Sequence, residues 1–245
     1  MKILFARHAT MVVDIDGKKI LIDPALDPKG AITTETGPNP KLDLETSIKK
    51  LTNVDGILVT HLHGDHFDDE AKKLLPKDLP ILCQSEDKNV MKECGFNKII
   101  SIENEINWEN LKITRVNAQH GSGEILKNMG IVSGFIIENN NYCVYVIGDS
   151  IWYDEVEKTI EKYNPNVIII NAGAANLGTG PITMNESDIY KVIQKAPKAK
   201  IVAVHMDAWG HCELTKTKLI SFLKENNIEE KVIIPLENTE FVIWG

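Results

Sequence analysis

The sequence predicts an α/β protein, and three observations predict it. Short apolar, β-branched runs recur along the 245 residues, bounded by glycine, proline, aspartate or asparagine. Stretches with helical periodicity alternate with them. Hairpins feeding strand–helix units occur twice over, which predicts two similar halves, roughly 1–125 and 126–245, within one domain spanning 1–245. A hydrophobic fraction of 43% is ordinary for a chain of this size and is enough for a substantial core.

Element by element, Ile3 to Phe5, Thr10 to Ile15 and Lys19 to Ile22 read as strands, the last two joined across Asp16-Gly17, a strong hairpin signal. Residues 25–41, with Pro28, Gly30, Gly37, Pro38 and Pro40, are expected to form a long loop, either the rim or lid of a site or a passive excursion. Leu42 to Leu51 reads as a helix, and the apolar, β-branched run Asp55 to Thr60 as a buried strand bounded by a glycine. Asp68 to Leu75 predicts a short helix stopped before Pro76. Strands near Ile81-Cys83 and Ile99-Ile102 bracket a helix over Lys88 to Cys94, with Gly95 as its stop. Leu111 to Val116 is a strand, followed by a polar loop from Asn117 to Gly123. Gly134 to Glu138 and Tyr142 to Ile147 form a hairpin, and a helix over Tyr153 to Tyr163 ends at Asn164-Pro165. Val167 to Ile170 is an apolar strand, and Thr183 and Glu186 have the spacing of a capping box opening the next helix. Ile201 to Val204, a helix over Leu214 to Glu225, and strands at Val232-Ile234 and Phe241-Ile243 complete the chain.

The formal net charge of -8 argues against a nucleic-acid partner, which needs a basic surface. The apolar run at the start is too short for a signal peptide, and no stretch approaches the roughly 20 residues that span a bilayer. Cys83, Cys94, Cys143 and Cys212 show no CxxC pairing and read as reduced thiols, which predicts a cytoplasmic protein. A small-molecule substrate is the expected partner, and the sequence is compatible with a homo-oligomer.

The chemistry concentrates in His61-Leu62-His63-Gly64-Asp65-His66, just past the Asp55 to Thr60 run. Imidazoles and a carboxylate this close repel or compete for water unless a cation organises them. On an extended segment His61 and His63 point the same way and can chelate one ion, while Asp65 and His66, further on, can address a second. Further ligands are expected at other strand ends: His120, Asp149 after an apolar run, and His205 after Ile201 to Val204. His211 competes with His205 for the last ligand role, and otherwise orients substrate or supplies a proton.

The pattern His61-x-His63-x-Asp65-His66, followed by His120, Gly148-Asp149-Ser150 and His205, with Leu21-Ile22-Asp23-Pro24 upstream, resembles the metallo-β-lactamase superfamily over nearly the whole chain. The resemblance implies an αββα four-layer sandwich with metals at one edge. It implies that His61, His63 and His120 hold one ion, that Asp65, His66 and His205 hold another, and that Asp149 bridges them. Asp23 would bond the loop that carries the cluster. Arg7-His8-Ala9-Thr10 adds a closer resemblance to the branch containing the ascorbate-6-phosphate lactonases. That branch has glycine where Arg7 stands, and it places His8 in the cleft.

Two divalent ions, zinc or alternatively manganese or iron, are the implied cofactors. The implied function is hydrolysis of a small-molecule ester, lactone or phosphodiester by metal-bound hydroxide. Asp65 would orient the hydroxide, and His211 or His8 would protonate the leaving group. The alternative is a mononuclear iron oxygenase of the persulfide dioxygenase type on the same fold.

Overall fold

The computed structural model describes residues 1–244, and the chain divides into two compact units. Among the described residues the first comprises 1–103, 208–210 and 236–244, and the second 104–207 and 211–235. In the first unit the strands are β1 (Lys2–Arg7), β2 (Thr10–Ile15), β3 (Lys18–Ile22), β4 (Ile32–Thr34), β5 (Gly37–Asn39), β6 (Gly56–Val59), β7 (Ile81–Gln84) and β8 (Ile99–Ile102). In the second they are β9 (Glu105–Trp108), β10 (Leu111–Asn117), β11 (Ser133–Glu138), β12 (Cys143–Val146), β13 (Val167–Asn171), β14 (Lys200–Val204) and β15 (Val232–Ile233), while β16 (Thr239–Val242) returns to the first unit.

Both sheets have seven strands and the same grammar. The first runs β16-β1-β2-β3-β6-β7-β8, antiparallel as far as β3 and parallel from there to β8. The second runs β15-β14-β13-β12-β11-β10-β9, parallel among β12 to β15 and antiparallel from β12 to β9. The α/β class that the sequence predicts is therefore present, as mixed sheets with helices.

The helices are α1 (Ile48–Thr52), α2 (Asp69–Leu74), α3 (Lys88–Glu93), α4 (Asp154–Tyr163), α5 (Glu186–Lys195) and α6 (Lys216–Glu225). In the first unit Leu51, Ala71 and Met91 seat the short helices on one sheet face, against Leu21, Ile57, Val59 and Ile81. In the second, Val156, Ile160, Ile189, Val192, Leu219 and Leu223 pack on Ile136, Tyr145, Ile168, Ile170 and Ile201. The alternate strand residues, such as Phe5, Val13 and Leu58 in one sheet and Phe135, Val144 and Ile169 in the other, are buried as well. Burial on both faces explains why the strands read as continuous apolar runs rather than alternating ones.

Several elements differ from the sequence expectation. The helix expected over Leu42–Leu51 covers only Ile48–Thr52, capped by Ser47. Upstream, the Leu42 carbonyl accepts from Arg7 and the Lys41 amide donates to Ala208, so this backbone is committed elsewhere. The loop at 25–41 holds the β4–β5 ribbon. Helix α5 starts two residues later than the capping box would place it, because Asn185 is its cap and accepts from the Asp188 amide. The Thr183 hydroxyl is spent on the Ala175 amide, so there is no Thr183–Glu186 capping box. Strand β9 was not expected from its polar sequence. Among the described residues no helix is long and apolar enough to cross a membrane.

Candidate metal centre

In the first unit, parallel β3 and β6 end at the same sheet edge, where loops project side chains beyond the strands. Strand β6 ends at Val59, the chain bends at Thr60 and turns over 64–66, with the His66 and Phe67 amides both donating to the His63 carbonyl at 2.9 Å. His61 Nε2 and His63 Nδ1 come within 3.0 Å of each other, the shared direction expected from the two-residue period. Asp23, at the end of β3, accepts three hydrogen bonds: from the Thr60 amide at 2.7 Å, the Thr60 hydroxyl at 2.8 Å and His66 Nδ1 at 2.7 Å.

That arrangement sets two imidazoles at once. The single proton of the Thr60 hydroxyl goes to Asp23, so its oxygen accepts from His61 Nδ1 at 3.0 Å. His61 and His66 therefore both carry their proton on Nδ1 and present a lone pair at Nε2. His8, between β1 and β2, places Nε2 3.3 Å from Asp65 Oδ2, and that oxygen lies 4.0 Å from His66 Nε2. Each of these three buried residues offers a ligand atom within 4.8 Å of the other two.

In the second unit the partners come from four strand ends. His120, beyond β10, donates Nδ1 to the Ile182 carbonyl at 2.8 Å and brings Nε2 to 3.3 Å from Asp149 Oδ2. Asp149 follows β12 and accepts from Asn171 Nδ2, at the end of β13, at 2.6 Å. His205 ends β14 with φ 68°, its Nε2 3.4 Å from Asp149 Oδ1 and its Nδ1 3.7 Å from Cys212 Sγ. Gly173 makes room for this: a Cβ there would stand 2.5 Å from the His205 carbonyl and 2.8 Å from Cys212 Sγ. Asp149 thus faces His205, whereas the His211 ring centroid lies 6.4 Å from that of His205.

These residues fit a divalent cation. The His120 Nε2 lone pair points at a carboxylate oxygen, and two lone pairs at such a distance repel unless positive charge lies between them. Four nitrogen and oxygen donors about 2.1 Å from an ion at tetrahedral angles lie about 3.4 Å apart. The separations within the two units, 3.0, 3.3, 3.3 and 3.4 Å, are close to that spacing. Three of the histidines also have the donor bond from the other ring nitrogen that orients metal-bound imidazole.

Sequence reasoning missed Thr60, Asn171, the Ile182 carbonyl and the role of Arg7. The Arg7 guanidinium is buried and donates to the carbonyls of Ala25, Asp27 and Leu42, at 2.9 Å each, tying both ends of the 25–41 excursion to β1. Burial pushes its pKa down, with Asp68, Asp27 and Asp43 opposing that shift. Burial also pushes the Asp68 carboxyl up to about 6, against the bonds it accepts from the Asp27 and Ala71 amides.

Comparison with known proteins places this arrangement. The family described as Beta-lactamase superfamily domain matches residues 18–206. UPF0173 protein YddR of Bacillus subtilis is 38% identical over 98% of this chain and 99% of its own length. A UPF0173 metal-dependent hydrolase of Thermococcus onnurineus is 27% identical, over 85% of this chain and 86% of its own. Among solved structures, the isothiocyanate hydrolase from Delia radicum gut bacteria superposes with a TM-score of 0.93 at 31% identity, covering 99% of both chains. A possible metal-dependent hydrolase from Veillonella parvula gives 0.95 at 33% identity, covering 98% of both. The chain belongs to the beta-lactamase superfamily, has the metallo-β-lactamase fold, and is a metal-dependent hydrolase.

Proposed function

We propose that the chain hydrolyses a small electrophilic molecule at a two-ion centre, with zinc as the cation and manganese or iron as alternatives. In this reading His61, His63 and His120 hold one ion, Asp65, His66 and His205 the other, and Asp149 lies between them, as the family resemblance assigns. The observation that carries it is the matched tautomer control. Asp23, Thr60 and the Ile182 carbonyl each fix an Nδ1–H and so direct Nε2 lone pairs outward. His205 takes the last ligand role in preference to His211, because His205 is the one that faces Asp149.

Divalent ions, when bound, lower the pKa of coordinated water towards neutrality and polarise the electrophile's oxygen. The protein's own groups do the rest. Asp65 accepts a hydrogen bond from the nucleophile and turns it towards the substrate. His8, 3.3 Å from Asp65, is placed to pass a proton to the leaving group, with His211 as the other candidate. Asn171 holds the Asp149 carboxylate in one rotamer.

Esters, lactones and phosphodiesters are the electrophiles that the family resemblance implies, and the ascorbate-6-phosphate lactonase-like branch supplies the lactone. The name of the similar isothiocyanate hydrolase adds a heterocumulene carbon, which hydroxide attacks in the same way. Among the described residues none of Cys83, Cys94, Cys143 and Cys212 is in a disulfide, which fits a reducing cytoplasm. The test is turnover of lactone, ester, phosphodiester and isothiocyanate panels by zinc-, manganese- and iron-loaded protein, with metal content measured in parallel. His63→Ala and Asp149→Asn should lose metal and nearly all activity. Full turnover by metal-stripped His63→Ala, or oxygen-dependent turnover with a single iron, would overturn the reading.

A further inference from the structure

We infer that Cys212 is the positioning residue for His205: its sulfur accepts the Nδ1 proton of the imidazole and so keeps the Nε2 lone pair turned towards the cation. This deepens the hydrolytic reading above and rests on it. His61, His66 and His120 each give their Nδ1–H to an oxygen, of Thr60, Asp23 and Ile182 respectively. At the buried His205 that place is held by Cys212 Sγ, 3.7 Å from Nδ1, while Nε2 on the far side of the ring stands 3.4 Å from Asp149 Oδ1. The separation is that of a hydrogen bond to sulfur, which is longer and weaker than one to oxygen because thiol sulfur is large and only slightly charged.

The backbone delivers the thiol to this place. Beyond β13 the chain runs through Gly173 to Asn176, and two hydrogen bonds tie it to the segment that carries the cysteine. The Leu214 amide donates to the Gly173 carbonyl, and the Asn176 amide to the His211 carbonyl, at 2.9 Å each. Between them Ala175 and Cys212 face each other as an antiparallel bridge, which fixes the cysteine Cβ. Gly173 leaves the space the pair occupies, since a Cβ there would stand 2.8 Å from Sγ and 3.1 Å from His205 Nδ1. Thiol and imidazole thus meet over a residue with no side chain to part them. Packing against Met129, Ala175 and Ile182 accounts for a small apolar side chain at 212, and not for a sulfur turned to a ring nitrogen.

Two variants separate this role from packing, because the two roles rank them in opposite orders. Cys212→Ala removes the acceptor and suits the apolar surroundings, whereas Cys212→Ser keeps an acceptor and suits them less. Urea unfolding of the metal-free protein should find the alanine variant at least as stable as the serine variant. Competition with a chromophoric chelator should find the reverse for zinc: Cys212→Ala binds about 10-fold more weakly than the parent, and Cys212→Ser retains most of the affinity. In the zinc-loaded parent, 1H–15N correlation of the imidazoles should show a His205 Nδ1–H protected from exchange with water, and Cys212→Ala should expose it. Equal zinc affinity in the two variants, or tighter binding by alanine, would overturn the positioning role alone. So would an unprotected Nδ1–H in the parent, which needs no variant to fold. A sulfur-to-cobalt charge-transfer band in the cobalt-loaded parent would make Cys212 a ligand and overturn it as well. Failure of the parent to bind zinc at all would overturn the hydrolytic reading and this role with it.

Discussion

Replacing Asp23 by asparagine keeps the shape of the side chain and removes its ability to accept three hydrogen bonds. One oxygen of Asp23 takes the Thr60 amide, and the other takes both the Thr60 hydroxyl and His66 Nδ1. An amide with its oxygen towards His66 sets its NH2 against the Thr60 N–H. Flipped, it sets NH2 against His66 Nδ1 and drives the imidazole proton to Nε2, out of ligand form. Either way one buried donor is left unsatisfied, which costs about 1–3 kcal/mol, and the remaining bonds lose their charge assistance. We expect Asp23→Asn to lose about 3 kcal/mol of stability in urea unfolding of the metal-free protein. Loss of such an outer partner typically weakens metal affinity about 10- to 100-fold, which competition with a chromophoric chelator would measure. Stability within about 0.5 kcal/mol of the parent, together with unchanged zinc affinity, would refute the tautomer argument.

Four further outcomes follow from the same structure. Gly173→Ala places a methyl against the His205 carbonyl and Cys212 Sγ, and should cost about 1–3 kcal/mol in thermal or urea unfolding and weaken zinc binding. Arg7→Met removes three donors to the 25–42 backbone, and limited proteolysis should then cut within 25–41 faster than in the parent. Asp68 has a folded pKa of about 6, raised from the unfolded value of about 3.9 by burial. Its folded form therefore binds more protons over that range, and its contribution, full below about pH 4, is lost as pH rises through about 6. Asp68→Asn should flatten that part of the stability–pH curve. Chelation should lower Tm, since free zinc at about 1,000 times its Kd stabilises the loaded protein by about 4 kcal/mol.

What could be read from the sequence was what neighbouring residues decide. The His61–His66 cluster, its place beyond a buried strand, and Asp149 and His205 at strand ends all follow from local runs. Arg7, conspicuous as the residue standing where a related branch has glycine, is explained only by the carbonyls it reaches 18 to 35 positions away. Two of the partners that hold the candidate ligands were hidden for the same reason, because Ile182 meets His120 across 62 positions of sequence and Asn171 meets Asp149 across 22. The capping-box reading failed because Thr183 has a competing acceptor role that spacing does not reveal. The helix expected from Leu42 was shortened by backbone groups committed to tertiary bonds.

His8, Asp23 and His205 share a backbone feature: φ values of 60°, 43° and 68°, in the left-handed region that favours glycine. At such positions the usual ranking of substitutions reverses, because alanine keeps the strain and glycine releases it. Glycine variants here should be more stable than the alanine variants conventionally made to probe function. A search for stabilising changes would therefore select against the very side chains that project from the strand ends, so a more stable chain and a working one diverge at these three residues.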